Sequence, residues 1–381
     1  MRVGLVVLLV LALSTGVTGC GDTRSRSDTS TGAATTATSP STLASTTANA
    51  SSGTTAAAAR FLTRYVTSDG RVIRHDQGGD IVSEGQAYAM LLAEVAQRPA
   101  LVRTIWSWTS AHLGRSNGLF AWHATGSGQI EDPQSAADAD VLIAYALLRY
   151  RGTDQAALHD AGRRVAGAVL ANESVTLPDG SPLVVAGPWA KSTSPPTIDP
   201  SYLMPGVFDA LARLTGDGRW TRAAGAAIAT ISALTDRGRR LPPDWARLSG
   251  GELTPIATPG GSAGVQYGLD AARLPLWFAT ACDTNARVLA ASWWRNVLGS
   301  GDRAGPLALV LSGNTINGET SPLTLLAGAA AATAAGDDAA AKNLRAKAAA
   351  LALSNPTYYG DAWVALGPAL LERSINPCDP D

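Results

Sequence analysis

The chain has 381 residues, 46% of them hydrophobic and 16% charged, and 30 Lys and Arg against 31 Asp and Glu leave a net charge of −1. A near-neutral chain with no basic patch and no acidic tail is not expected to bind nucleic acid. The four histidines, His75, His112, His123 and His159, are scattered, and there is no His-Glu-x-x-His helix, Gly-x-Ser-x-Gly elbow or Walker loop, so neither a metal nor another cofactor is expected.

The chain opens on Arg2, an apolar run over residues 3–13, and Val17-Thr18-Gly19-Cys20, which resembles the lipobox of bacterial lipoproteins. The apolar run is too short to span a bilayer and reads as a signal over residues 1–20 with a cleavage site before Cys20. The expectation is an exported protein, lipid-anchored through Cys20 at the outer face of the bacterial cell membrane. Residues 21–55 are almost entirely Ser, Thr, Ala and Gly, with no apolar periodicity to bury, and are expected to form a disordered tether. The remaining residues, 56–381, form one domain, expected to be monomeric.

Within that domain apolar periodicity predicts helices near 56–66, 84–97, 100–113, 136–151, 154–171, 201–215, 218–236, 268–281, 285–299, 321–335, 337–354 and 359–374. The connections alternate. Those near 98, 152, 216, 283 and 336 are short, whereas 67–83, 114–135, 172–200, 237–267 and 300–320 are long and rich in Gly, Pro and Asp. Six antiparallel hairpins follow, with every long loop at one end. The closed solution is an all-α (α/α)6 barrel of two concentric rings, because periodic strand signals are too sparse to compete. Helices after long loops are the more apolar all round and read as the inner ring.

Three acids sit at the starts of inner helices: Glu84 in Ser83-Glu84-Gly85-Gln86, Asp138 in Ala136-Ala137-Asp138-Ala139-Asp140, and Asp270 in Leu269-Asp270-Ala271-Ala272-Arg273. Singly, each could be structural, since the helix dipole favours first-turn acids and both Ser83-x-x-Gln86 and Ser135-x-x-Asp138 look like capping boxes. Jointly, they should converge on one mouth of the barrel, together with Asp199-Pro200-Ser201-Tyr202 and Tyr358-Tyr359. Convergent acids and aromatics in a concavity point to a binding or active site.

Ten Trp against four Phe is an unusual balance for a core, because a buried indole needs a partner for its N–H. Trp122, Trp189 and Trp245 lie in long loops on the expected active face, either as stacking platforms for sugars or as loop packing. Trp106, Trp108, Trp293 and Trp294 fall within outer helices and read as structural. His123, beside Trp122, either lines the cleft or is a solvated loop imidazole. Paired carboxylates over an aromatic groove are what glycoside hydrolysis needs.

Taken as an ordered set, these residues resemble glycoside hydrolase family 8, the inverting endoglucanases that include the cellulase associated with bacterial cellulose synthesis. The resemblance covers about residues 58–374. It is carried by Ser83-Glu84-Gly85-Gln86-Ala87-Tyr88, Gly118-Leu119-Phe120-Ala121-Trp122, Ala136-Ala137-Asp138-Ala139-Asp140, Asp199-Pro200-Ser201-Tyr202, Pro243-Asp244-Trp245 and Asp270-Ala271-Ala272-Arg273-Leu274-Pro275. It implies an (α/α)6 barrel with Glu84 as general acid, Asp270 as general base and Asp138 holding the sugar at the cleavage point. Two positions depart from the family: Ala137 stands where Ser or Thr is expected, and Leu269 where many relatives carry an aromatic. Both bear on substrate and rate more than on reaction type.

The expected activity is inverting, endo-acting hydrolysis of a β-1,4-glucan. Trp122, Trp189, Tyr202, Trp245, Arg273, Tyr358 and Tyr359 are the candidate contacts to this β-linked polysaccharide. Xylan, mixed-linkage glucan and chitosan remain open as substrates, and a glycan-binding lipoprotein without catalysis is the reading from another class. Cys282 and Cys378 are either a disulfide, favoured by an oxidising compartment, or two buried thiols.

Overall fold

The structure, a computed structural model, describes residues 40–372 and 374–378, so the lipobox and Cys20 lie outside the described residues. The helices are α1 (Pro40–Tyr65), α2 (Ser83–Val95), α3 (Pro99–His112), α4 (Ala137–Arg149), α5 (Gln155–Asn172), the single-turn α6 (Pro188–Lys191), α7 (Pro205–Thr215), α8 (Arg219–Leu234), α9 (Leu274–Ala279), α10 (Thr284–Trp293), α11 (Pro322–Ala335), α12 (Asp338–Ser354) and α13 (Tyr358–Leu371). Each helix expected from the sequence is present.

Burial sorts them into two rings. In α2 every residue from Gly85 to Ala93 is buried, and in α4 every residue from Ala137 to Leu148. In α5, by contrast, burial follows Leu158, Ala161, Gly162, Val165, Ala166, Val169 and Leu170, the alternating 3-1 spacing of a single stripe. α3 and α12 likewise bury one stripe each. The inner helices α2, α4, α7, α9, α11 and α13 touch in that order, and α13 returns to α2. The ring is therefore closed, with α3, α5, α8, α10 and α12 each packed on the inner helix that precedes it and α1 on α13 and α2. Close approach needs small residues: a Cβ on Gly162 of α5 would stand 2.8 Å from the Leu148 side chain of α4.

The sequence reading needs three corrections here. α1 runs back to Pro40, through residues 40–55 that composition assigns to a disordered tether. The stretch has no apolar stripe, but its alanines keep helix propensity, and Thr54 Oγ1 donates to Glu372 Oε2 at 2.6 Å. The helix expected from 268 begins as a 3₁₀ turn (Ala271–Arg273) and becomes α9 at Leu274, with Pro275 in its first turn. The long loops also carry antiparallel sheets: Ile81–Val82 with His123–Ala124 and Ile130–Asp132, Ser174–Thr176 with Pro182–Val184, Thr197–Ile198 with Trp245–Ser249 and Glu252–Ile256, and Pro306–Leu309 with Thr315–Thr320. These ribbons are too short for alternation to show in sequence, and they position the site.

Candidate active site

Glu84, Asp138, Asp199 and Asp270 meet around one guanidinium. Arg273 Nη1 lies 2.9 Å from Asp138 Oδ2 and 3.7 Å from Glu84 Oε2, while Nη2 lies 3.3 Å from both Asp199 Oδ2 and Asp270 Oδ1. Glu84 and Asp270 keep 23% and 39% of their side-chain surface exposed, whereas Asp138, Asp199 and Arg273 are buried. The two outer acids thus face the mouth, and the inner acids hold the cation that spaces them.

Neither expected capping box forms. The residue before α2, Val82, makes no side-chain cap, and Gln86 instead accepts from Val72 N at 2.7 Å and donates to Gly70 O and Thr109 Oγ1. Ser135 Oγ donates to Glu173 Oε1 at 2.5 Å. With capping removed as the explanation, the acids at these helix starts need another role.

The loop ribbons deliver the rest. In the Thr197–Ile198 and Trp245–Ser249 pair, Ile198 stands opposite Ala246, so Asp199 and Trp245 emerge side by side. Asp199 Oδ1 accepts from Ser201 N and Oγ, and Tyr202 lies beneath Arg273, with the guanidinium carbon 5.3 Å from its ring centroid, a cation–π contact. Asp244 Oδ1 accepts from Gly268 N at 2.8 Å and Ala271 N at 2.9 Å, clamping the turn that carries Asp270. Ser83 N donates to Trp122 O at 3.0 Å, which fixes the start of α2 to the loop of the first sheet.

Burial sets the electrostatics. It pushes Asp138 up to about 7 against the opposing pull of Arg273, with Glu84 and Asp270 adding to the rise. Burial, then Asp270, raises Asp244 to about 7, and burial with Asp270 raises Asp199 well above the ordinary carboxylate range. Burial also opposes the charge on Arg273, but Tyr359, Asp199 and Asp138 outweigh it and hold the guanidinium protonated. Several carboxyls around a single cation make a site suited to developing positive charge.

The predicted aromatics divide. Trp122, Trp189, Tyr202 and Tyr359 are half-buried in the mouth region, each with surface left for a ligand. Trp245 is 8% exposed, and its indole N–H donates to Asp270 Oδ2 at 3.2 Å, so it orients the acid rather than offering a free stacking face. Tyr358 is 1% exposed, packed against Phe61 and Tyr65 with its hydroxyl over Gly85, and has no face for a sugar. His123 stacks on Trp122 at 4.8 Å with Nε2 2.8 Å from Asp80 Oδ2, and Asp80 also pairs with Arg74, so the imidazole belongs to a loop-bracing cluster. Leu269 is partly buried against the core and Ala137 fully buried. No group of three His, Cys, Asp or Glu among the described residues stands in metal-holding geometry. Sequence reasoning gave no role to Asp244 or Asp140, although both lay in quoted motifs, and it passed over Glu173; what it lacked was the pairing of distant loops.

The family model described as glycosyl hydrolases family 8 matches residues 32–369. A probable endoglucanase of Novacetimonas hansenii is 33% identical over 251 residues, covering 62% of this chain and 71% of the relative. An endoglucanase of Cellulomonas uda is 29% identical over 226 residues, 58% of this chain and 62% of that one. Among solved structures, the endo-β-1,4-glucanase CMCax from Acetobacter xylinum superposes with a TM-score of 0.68 at 26% identity, covering 86% of this chain and 99% of that chain.

Proposed function

The chain belongs to glycosyl hydrolases family 8, and from the arrangement of its mouth we propose that this glycoside hydrolase cuts β-1,4-glucan internally with inversion at the anomeric carbon. One observation carries the reading: two partly exposed acids, Glu84 and Asp270, stand on either side of the buried Arg273 that bridges them. Glu84 gives its proton to the leaving glycosidic oxygen. Asp270, held at one oxygen by Trp245 and at the other by Arg273, takes a proton from the water that attacks the opposite face of the sugar. An inverting pair stands roughly 6.5–9.5 Å apart to admit that water. Asp138, directed by Arg273 Nη1, holds the sugar at the cleavage point and balances the positive charge of an oxocarbenium-like transition state.

The endoglucanase names of the relatives and the endo-β-1,4-glucanase name of the Acetobacter xylinum structure support a β-1,4-glucan. The viscosity of a soluble cellulose derivative tests the reading: internal cutting collapses it early, while a glycan-binding protein leaves it unchanged. The Val17-Thr18-Gly19-Cys20 sequence supports the further reading that the enzyme works from a lipid anchor on Cys20, checked by palmitate labelling of wild type and Cys20→Ala.

A further inference from the structure

Behind Asp138 stands a second acidic pair that the reaction does not use. Asp140 and Glu173 are each 0% exposed, each keeps one carboxyl oxygen, Asp140 Oδ2 and Glu173 Oε2, buried without a donor, and each acts on the other's ionisation. Carboxylates only accept, so these two oxygens can satisfy each other only while one of the two residues holds a proton. The neighbouring donors indicate which. Glu173 Oε1 accepts from Ser135 Oγ at 2.5 Å, whereas Asp140 Oδ1 has a longer bond, 3.2 Å, from Phe120 N. The carboxyl with the stronger donor loses its proton first, which makes Asp140 the residue that keeps one longest.

Burial is the largest influence on both, raising Glu173 to about 8 and Asp140 well above the ordinary carboxylate range. No cation acts on Glu173, whose charged neighbours are Asp140 and Asp138, and those acting on Asp140 are Glu173 and Asp138. Several other charges on the surrounding elements are engaged elsewhere. Glu84 and Arg273 act on Asp138, and Arg273 also holds Asp199. Arg149 pairs with Glu94 at the far end of α4, Arg163 pairs with Asp160 on α5, His159 bonds Tyr150 O, and Arg213 of α7 donates to Pro377 O.

The pair joins three segments at the start of α4. Asp140 lies two residues beyond Asp138. Glu173 ends α5, and its carbonyl accepts from Val185 N at 2.8 Å, while Ala186 O in turn accepts from Ala137 N at 3.2 Å. Phe120 belongs to the loop that reaches Trp122, whose carbonyl holds Ser83 N beside Glu84. We propose that Asp140 and Glu173 are positioning residues that share one proton, and that this shared proton fixes the start of α4 and with it the direction of the Asp138 carboxyl. The proposal rests on the reading of Asp138 as the sugar-holding acid.

Two measurements test it. Infrared difference spectroscopy at about pH 9, above the values of about 7 for Asp138 and Asp244 and about 8 for Glu173, should show a protonated carboxyl band in the wild type that is lost in Asp140→Asn. In steady-state kinetics on cello-oligosaccharides, Asp140→Ala should lose kcat by about 10²-fold through misplacement of Asp138, with KM changed little. Asp140→Asn, whose amide still donates to Glu173, should restore most of that loss. The infrared measurement needs no substrate and no Asp140→Ala protein, so a failure of the proposed activity and a failure of the shared proton are read separately. A wild-type spectrum identical to that of Asp140→Asn in the carboxyl region overturns the proposal, as does a kcat for Asp140→Asn as low as that of Asp140→Ala.

Discussion

Trp245 donates its indole N–H to Asp270 Oδ2 across 3.2 Å, and both residues belong to the one long connection between α8 and α9, Trp245 at the start of a strand and Asp270 at the end of the connection. The bond gives the otherwise exposed Asp270 a fixed direction, because Arg273 at 3.3 Å holds its other oxygen. Trp245→Phe keeps the ring and removes the donor. Loss of a hydrogen bond to a charged group is worth about 1.5–3 kcal/mol, so kcat should fall about 10- to 100-fold. Steady-state kinetics on a cello-oligosaccharide should show KM nearly unchanged, since the ring that packs beside Trp189 remains.

Glu84→Gln should reduce hydrolysis by about 10²–10⁴-fold, because an amide keeps the shape of the acid but delivers no proton to the leaving oxygen. Binding of an oligosaccharide, followed by tryptophan fluorescence, should persist. A variant with near wild-type turnover would remove Glu84 from the acid role.

Stability should fall as pH rises through the neutral range. Asp138 and Asp244 are raised to about 7 and Glu173 to about 8, all chiefly by burial. A carboxyl raised on folding contributes stability that is complete below its unfolded value, about 4, and is lost as pH climbs through its folded value. Thermal unfolding should therefore show the Tm decreasing from about pH 5 to about pH 8. Asp244→Asn, which can still accept from Gly268 N and Ala271 N, should flatten that decline; an unchanged slope would exclude Asp244 as a contributor.

Cys282 and Cys378 are joined by a disulfide across a sequence separation of 96 residues, at the end of α9 and in the C-terminal tail. That tail is held further by Tyr145 Oη, which donates to Ile375 O, and by Arg213, which donates to Pro377 O. Cys282→Ser with Cys378→Ser should lower stability by about 2–5 kcal/mol, read by denaturant unfolding. Activity below the unfolding transition should be unaltered, since neither residue belongs to the mouth.

The double ring was legible because its two helix types differ in pattern: α5 shows one apolar stripe, α2 and α4 are apolar all round. Glu84, Asp138 and Asp270 were legible because the alternation of short and long loops places every inner helix start at one end. Tyr358 was not, since sequence gives no direction to two adjacent tyrosines; the first turns into Phe61 and Tyr65, and only the second is left partly exposed. Asp244 and Glu173 act by bonding to segments 24 and 38 residues away. No local periodicity records contacts of that kind. The extension of α1 to Pro40 was hidden by low-complexity composition, whose alanines suit a helix as well as a tether.

The stereochemistry of the first product tests the central assignment most directly. With Asp270 as general base and Glu84 as general acid, proton NMR of an early digest of β-linked cello-oligosaccharide should show the α-anomer before mutarotation, and Asp270→Asn should stall turnover although Glu84 is intact. Early products that keep the β configuration would mean a covalent, retaining route and would contradict the assignment of Asp270 as the base.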